Sequence, residues 1–430
     1  MSGMTVVEKI ISTHAGGNAR VGDVVTADID YALALDASGP LTLDYFEEME
    51  GKGVFDPSRV LMVLDHYLPC PSQAVSRLQD RVRAFHKKGF CTLFELGEGV
   101  CHHLLPEKGY TKPGRLIVGA DSHTITYGAF NCLGAGLGSS DLAQGMIRGS
   151  VWLKVPETFR ITLTGKLGPG VEAKDLALWI VGSLGAAGAT YKALEFTGDG
   201  VETLSIYERM TVCNMMAECG AKAAIMPCDQ VLRDHFVGET LEAVEPDFDA
   251  TYEREIAIDL SLLEVQIAKP HNTDNVVPLR EVAGTPIQMG VIGTCTNSSL
   301  DDLRRALEVM GDKSVVPGFE LMLVPATRNI YAQAARLGML EAFVMKGAYV
   351  LPPGCGPCCG SSAGMPSDGE NVLSTANRNF LGRMGNVNAS IYLGSPSSVA
   401  AAAVTGVITH PLEVAKRTAS KVLTSCNTNT

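Results

Sequence analysis

The sequence predicts an α/β protein of three modules with mainly parallel sheets flanked by helices, and three observations predict it. Short, continuously apolar runs recur along the chain, as strands buried on both faces require. Helix-length intervals separate them. Glycine occupies 45 of 430 positions, well above the usual ~7%, as expected where backbone turns tightly or approaches a ligand. Apolar residues make up 46% of the chain and charged residues 19%. That is enough to bury a large core and excludes wholesale disorder. Length alone suggests about three domains at roughly 150 residues each.

The first module, residues 1–157, carries apolar runs at 59–64, 89–95 and 115–119, with a helical pattern over 72–88. The second, 158–275, opens on a strand of period two at 159–165 and continues through helical segments at 173–184 and 205–219. The polar stretch 269–275 reads as a linker. The third, 276–430, alternates strand-like 286–292 and 318–324 with a helix over 298–310. Functional residues in such sheets collect on loops at the strands' carboxyl ends. Four such loops hold unusual residues: Asp65 and His66; Asp121, Ser122 and His123; the Gly-flanked Cys295; and Cys355 after the Pro-Pro-Gly at 352–354.

Charge narrows the function. Forty-seven acidic against 35 basic residues give a formal −12, the wrong sign for neutralising phosphates, so no nucleic-acid partner is expected. The N-terminal residues lack the apolar core of a signal peptide. The most hydrophobic stretch, 399–408, is too short for a bilayer, which needs about twenty residues. The chain is therefore read as soluble and cytoplasmic, with no membrane partner. In that compartment its twelve cysteines are not a disulfide framework.

Cys355 and Cys358 form a C-x-x-C loop, and Cys295 lies sixty residues earlier. Three thiolates could hold an iron–sulfur cluster with one iron left open as a Lewis acid. A lone C-x-x-C is otherwise a zinc or redox motif, and Cys359 offers an alternative ligand. The remaining thiols (Cys70, Cys91, Cys101, Cys132, Cys213, Cys219, Cys228 and Cys426) read as packing residues. Asp65–His66 and Asp121–His123 could each orient an imidazole for proton transfer, or serve structure alone; His102 lies near Glu95 and Glu98 in sequence. Arg378 and Arg383 suit a substrate with two carboxylates, unless they are surface charges. Glu218, in an apolar cysteine-rich helix, is either buried and paired or turned to solvent. Residues 360–364 match G-x-S-x-G around Ser362, with Asp368 and His410 following, but lack the strand and helix that a nucleophile elbow needs.

Together these loops resemble the aconitase superfamily of iron–sulfur hydro-lyases, closest to the large subunits of 3-isopropylmalate dehydratase and homoaconitase. The likeness runs from residue 8 to residue 396. It is most specific at 119–124 (GADSHT), 293–298 (GTCTNS), the C-x-x-C loop and 377–380 (NRNF). It implies a 4Fe–4S cluster on Cys295, Cys355 and Cys358. It further implies that Asp65, His66, His102, Asp121, His123 and Glu218 handle the leaving or attacking water. Asn214, Asn297 and Asn377 would support cluster or substrate, while Ser122, Arg378 and Arg383 bind it. The implied reaction moves water across a carbon–carbon bond of a 2-hydroxy di- or tricarboxylate, foremost isopropylmalate in leucine biosynthesis. Homoaconitate, citraconate and dimethylmalate are alternatives, and a non-catalytic iron–sulfur sensor is a rival of another class. Single-chain aconitases carry a further swivelling domain, so the likeness implies that this chain lacks it and works with a separate small subunit that supplies it. Residues 35–38 (LDAS) depart from the substrate-contact segment of single-chain aconitases, which argues against citrate.

Overall fold

The protein is described from a computed structural model over residues 3–360 and 362–414; Cys426 and Ser361 lie outside the described residues. Three large sheets and a ribbon organise the chain. The first sheet is entirely parallel, in the order Thr92–Phe94, Val60–Val63, Tyr31–Leu35, Leu116–Gly119, Leu133–Gly136. Val60–Val63 and Leu116–Gly119 are buried at every position, which is why they read as unbroken apolar runs. Val24–Asp28 and Ser150–Lys154 form the antiparallel ribbon.

The second sheet is also parallel: Ala223–Ile225, Ala193–Thr197, Thr158–Thr164, Arg254–Asp259. Beyond its first two residues Thr158–Thr164 alternates buried and part-exposed positions, the period two read in the sequence. The third sheet has seven strands. It is parallel from Ser390–Leu393 through Asn371–Ser374, Met289–Ile292 and Glu320–Leu323 to Tyr349–Val350. Gln266–Ala268 and Val276–Pro278 pair antiparallel at its other end. The polar stretch 269–275 is thus the loop of a hairpin inside the third sheet rather than a linker, its polarity being that of an exposed turn.

Helices begin where side chains satisfy the first free N–H groups. Ser72 caps Gln73–Lys87. Ser299 and Asp302 form a capping box for Leu300–Met310, whose buried Leu303, Ala306 and Met310 lie one turn apart. Glu172 and Asp175 do the same for Ala173–Leu184. Residues 205–219 split: Ile206–Met215 is α-helical and Met216–Cys219 tightens to a 3-10 turn.

The sheets share one core. Leu33 and Leu61 of the first, Ile161 and Leu194 of the second, and Val291 and Leu393 of the third belong to a single buried cluster. At the first–second junction, the 3-10 helix Ser122–Phe130 lies against Ala223–Ile225. A Cβ on Gly128 would stand 1.5 Å from the Ala224 carbonyl oxygen, so only glycine permits this approach. Among the described residues no helix is long and apolar enough to cross a membrane.

Candidate active site

The loop after Val60–Val63 is held from below by Asp36, which the sequence reading missed. Its fully buried carboxylate accepts from the backbone N–H groups of Asp65 (3.3 Å), His66 (3.0 Å) and Tyr67 (3.2 Å), and from Gln79 Nε2 (3.1 Å). Burial and the nearby Asp65 raise the Asp36 carboxyl. On that loop Asp65 Oδ1 lies 2.7 Å from His66 Nδ1, which leaves Nε2 for the cavity that His66 lines. Burial opposes the charge on His66, yet Asp65, Asp36 and Asp121 raise it well above the ordinary value. Asp65 also accepts from Cys101 N (2.8 Å) through Oδ2 and from Cys355 N (2.7 Å) through its carbonyl.

Asp121 caps the 3-10 helix after Leu116–Gly119. Its Oδ1 accepts from His123 N at 2.7 Å and lies 3.0 Å from His102 Nε2. His102 therefore pairs with Asp121 and not with its sequence neighbours. Glu95 accepts a two-pronged bond from Arg83, and Glu98 accepts from Glu95 N. Burial would raise the Asp121 carboxyl, but His102 and His123 hold it well below the carboxylate range. His102 Nδ1 is buried and has no partner among the described residues.

Glu218 is mostly buried and is paired. Its Oε1 lies 2.9 Å from His123 Nε2, and Arg378 Nε donates to Oε1 and Oε2 at 2.9 and 3.0 Å. Against burial, His123 and Arg378 lower the Glu218 carboxyl; also against burial, Asp121 and Glu218 raise His123. Arg378 Nη2 donates to Ser122 Oγ at 2.8 Å.

The cysteine loop after Met289–Ile292 turns sharply. Gly293 has φ +147°, and a Cβ there would meet the Val324 carbonyl oxygen at 2.5 Å. Thr294, which is not glycine, sits at φ +66°, strain of the kind found at functional sites. Cys295 Sγ accepts from Asn377 Nδ2 (3.2 Å) and Asn214 Nδ2 (3.3 Å). The two amides are themselves joined, Asn377 Nδ2 donating to Asn214 Oδ1 at 3.1 Å. Cys358 Sγ accepts from Arg383 Nη2 at 3.3 Å. The hydrogen bond between Cys355 and Cys358 favours the Cys358 thiolate; burial opposes it and Arg383 supports it. Asn297 stands one step back: it donates to Thr211 Oγ1 and Asp302 Oδ1, tying the cysteine loop to the helix behind it.

These side chains converge on one cavity of about 300 Å³. Its lining includes His66, His102, Asp121, His123, Cys295, Cys355, Cys358, Asn377, Arg378 and Arg383, with Ala37, Tyr67, Val100 and Cys359. Asn214 and Asn297 lie behind it, and Asp65, Glu218 and Ser122 reach it through the bonds above. Cys359 shares the wall and is half-buried. Cys70 is exposed, not packed, because its chain segment runs over the surface. The serine-hydrolase match dissolves: Ser362 Oγ donates to the Gly356 carbonyl (2.7 Å), while Asp368 is taken up by Asn386 and Asn388.

Two further groups went unread in the sequence. Lys174 is fully buried beneath the cavity and donates to the carbonyls of Thr375 and Ala376; burial pushes its ammonium down to about 7. His103 Nε2 lies 3.2 Å from the Cys295 carbonyl, and burial pulls it to about 4. A lysine opening a helix that is almost wholly apolar beyond Asp175 was the available signal for the first.

The donor set fits an iron–sulfur centre. Three buried thiols face one cavity, and the amides and guanidinium on their sulfurs are donors that stabilise thiolate charge.

Comparison with known proteins agrees over nearly the whole length. The family model described as "Aconitase family (aconitate hydratase)" matches residues 8–285 and 280–406. The chain is 43% identical over 413 residues to 3-isopropylmalate dehydratase large subunit 1 of Methanopyrus kandleri, covering 95% of this chain and 99% of that protein. Identity is 45% over 415 residues to the Thermotoga maritima protein of the same name, with 95% and 99% covered. It is 44% over 392 residues to a probable methanogen homoaconitase large subunit of Methanosarcina mazei, with 90% and 100% covered. With both the family's motifs and its length matched, the chain belongs to the aconitase family.

Proposed function

We propose that this chain is the large, catalytic subunit of a heteromeric iron–sulfur hydro-lyase that isomerises 3-isopropylmalate by removing and re-adding water through an alkene. The observation that carries the proposal is the convergence of three buried thiols, three carboxylate-held histidines and two arginines on one cavity. Cys295, Cys355 and Cys358 would hold a 4Fe–4S cluster, which supplies Lewis acidity toward the substrate hydroxyl.

The chain's own residues do the rest. Arg378 presents a guanidinium fixed by Glu218 and Ser122, and Arg383 a second; together they grip the carboxylates of a dicarboxylate in one register. His66, kept charged by Asp65, holds a proton for the departing hydroxyl. Asp121 fixes His102 through its ring and His123 through its backbone N–H at the same Oδ1, which aligns both imidazoles on the cavity that they line. A separate small subunit, in this reading, completes the pocket around the substrate's side chain. Homoaconitate is the second substrate to try, because relatives named for that activity are as similar as those named for isopropylmalate.

The test is anaerobic reconstitution with iron and sulfide, with iron content and EPR recorded for wild type and Cys358→Ser, then assay with the small subunit by ultraviolet absorbance of the alkene. A cluster in wild type that the variant loses, with turnover of isopropylmalate, is expected. Stoichiometric zinc, or a cluster with no turnover of any 2-hydroxy dicarboxylate, overturns the reading.

A further inference from the structure

Lys174 is placed where a lysine is costly. It lies at the start of helix Ala173–Leu184, where the helix dipole disfavours a cation, and its side chain is fully buried. Its Nζ has three partners: the carbonyls of Thr375 (2.8 Å) and Ala376 (2.7 Å) and the Met215 thioether (3.5 Å). None is a carboxylate. The neighbouring acids are spent elsewhere, Asp175 on the backbone N–H groups of Glu172 and Gln266, and Glu172 on that of Ser397. A buried cation without an ion-pair partner needs an anion nearby. Burial opposes its charge, and the groups that favour it are Cys295, Cys358, Glu218 and Asp175, in that order.

The two carbonyls matter as much as the charge. They immediately precede Asn377, which donates to Cys295 Sγ, and Arg378, which is clamped by Glu218 and Ser122. Ser374 Oγ accepts from Ala376 N, and Thr375 Oγ1 bridges to Gly293. The segment is thus pinned from one side by its own hydroxyls and from beneath by one ammonium.

We infer that Lys174 is a positioning residue that seats Asn377 and Arg378 and supplies the buried positive charge facing the thiolate-held centre. The inference rests on the function proposed above. A cation beneath an anionic centre favours its more reduced, more negative state. It therefore acts on two observables at once, the grip on substrate carboxylate and the midpoint potential of the bound cluster.

Lys174→Met keeps length and packing and removes the charge and the donor; Lys174→Arg keeps a cation but cannot place it at the same two carbonyls. Both are compared with wild type as the reconstituted chain with its small subunit, by kcat and KM, by redox titration followed by EPR, and by thermal melting. For Lys174→Met we expect KM to rise about 10-fold through the displaced Arg378, and the midpoint potential to move to a more negative value. For Lys174→Arg we expect a raised KM with the wild-type potential. A Lys174→Met protein that melts earlier but keeps wild-type KM and potential overturns the inference. If that variant does not fold, Lys174→Arg decides alone, and a wild-type KM in it overturns the inference. Failure of wild type itself to bind a cluster or turn over would instead sink the proposed function.

Discussion

Substituting Gly128 by alanine asks how tightly the site depends on the junction between the first and second sheets. A Cβ at this position would sit 1.5 Å from the Ala224 carbonyl oxygen, whereas real Cβ contacts do not fall below 3.0 Å. The 3-10 helix Ser122–Phe130 or the strand Ala223–Ile225 must therefore retreat by about 1.5 Å, an overpacking strain of roughly 1–3 kcal/mol. The helix is the element with consequences, since it carries Ser122 and His123 and is capped by Asp121. A misplacement near 1 Å can cost about 100-fold in rate. For Gly128→Ala we expect a folded chain with a lowered melting temperature, wild-type iron content, and kcat/KM down by about 100-fold. Iron content is the internal control, because none of the three cysteines lies on this helix. Gly53→Ala, with nothing within 4 Å of the new methyl, should change none of these values. Melting, iron content by colorimetry and steady-state kinetics decide it. A Gly128→Ala protein with wild-type melting and kcat/KM would refute the link between this contact and the site.

Other outcomes follow from the same geometry. The partners of His66 raise it above its unfolded value, so its charged form is fully present at lower pH and is lost as pH rises through the folded value. Asp65→Asn should therefore shift the alkaline limb of the kcat profile toward lower pH; an unmoved limb would assign it to another group. Arg378→Lys loses the fork that spans Glu218 and Ser122, and KM should rise about 10- to 100-fold with a smaller change in kcat. Arg209 is fully buried, and its guanidinium meets Asp229 through two bonds of 2.8 and 2.5 Å. Asp229→Ala should lower unfolding free energy by about 3–5 kcal/mol, read as an earlier urea midpoint; a midpoint within error of wild type would mean the pair is dispensable.

Much of this was legible from local pattern. Strands buried on both faces announce themselves as apolar runs, and Val60–Val63 and Leu116–Gly119 were read to within two residues. The dipeptide and tripeptide at Asp65 and Asp121 were legible because a His beside an Asp in sequence stays beside it at a strand end. What sequence hid are the contacts that only folding creates. His102 and Asp121 are 19 residues apart in sequence and meet at 3.0 Å, while nearby Glu95 and Glu98 drew attention by proximity alone. Leu133–Gly136, with two glycines in four residues, lacks the unbroken apolar run that marks its neighbours, yet it pairs residue for residue with Leu116–Gly119. Asp36 resembles an ordinary acid at a turn, and only the fold turns it toward three backbone amides of another loop.

Those long-range contacts explain why the cavity needs all three sheets. The first contributes Asp65, His66 and Asp121 from the ends of its strands, and the third contributes Cys295, Cys355 and Arg378 from the ends of its own. Neither set could be held by its own sheet, since loops alone are the least rigid parts of a fold. They are instead fastened to one another. Cys355 N donates to the Asp65 carbonyl, Val100 N to that of Ala326, and Arg328 N to that of Glu98. The second sheet's helices close the remaining side, placing Asn214 on Cys295, Glu218 between His123 and Arg378, and Lys174 under Thr375. Residues assigned to proton transfer and residues assigned to the metal are consequently parts of one bonded framework. In such a framework the Cys355 backbone is tied to the Asp65–His66 loop, so a rigid centre held on Cys355 would also order the His66 imidazole beside it.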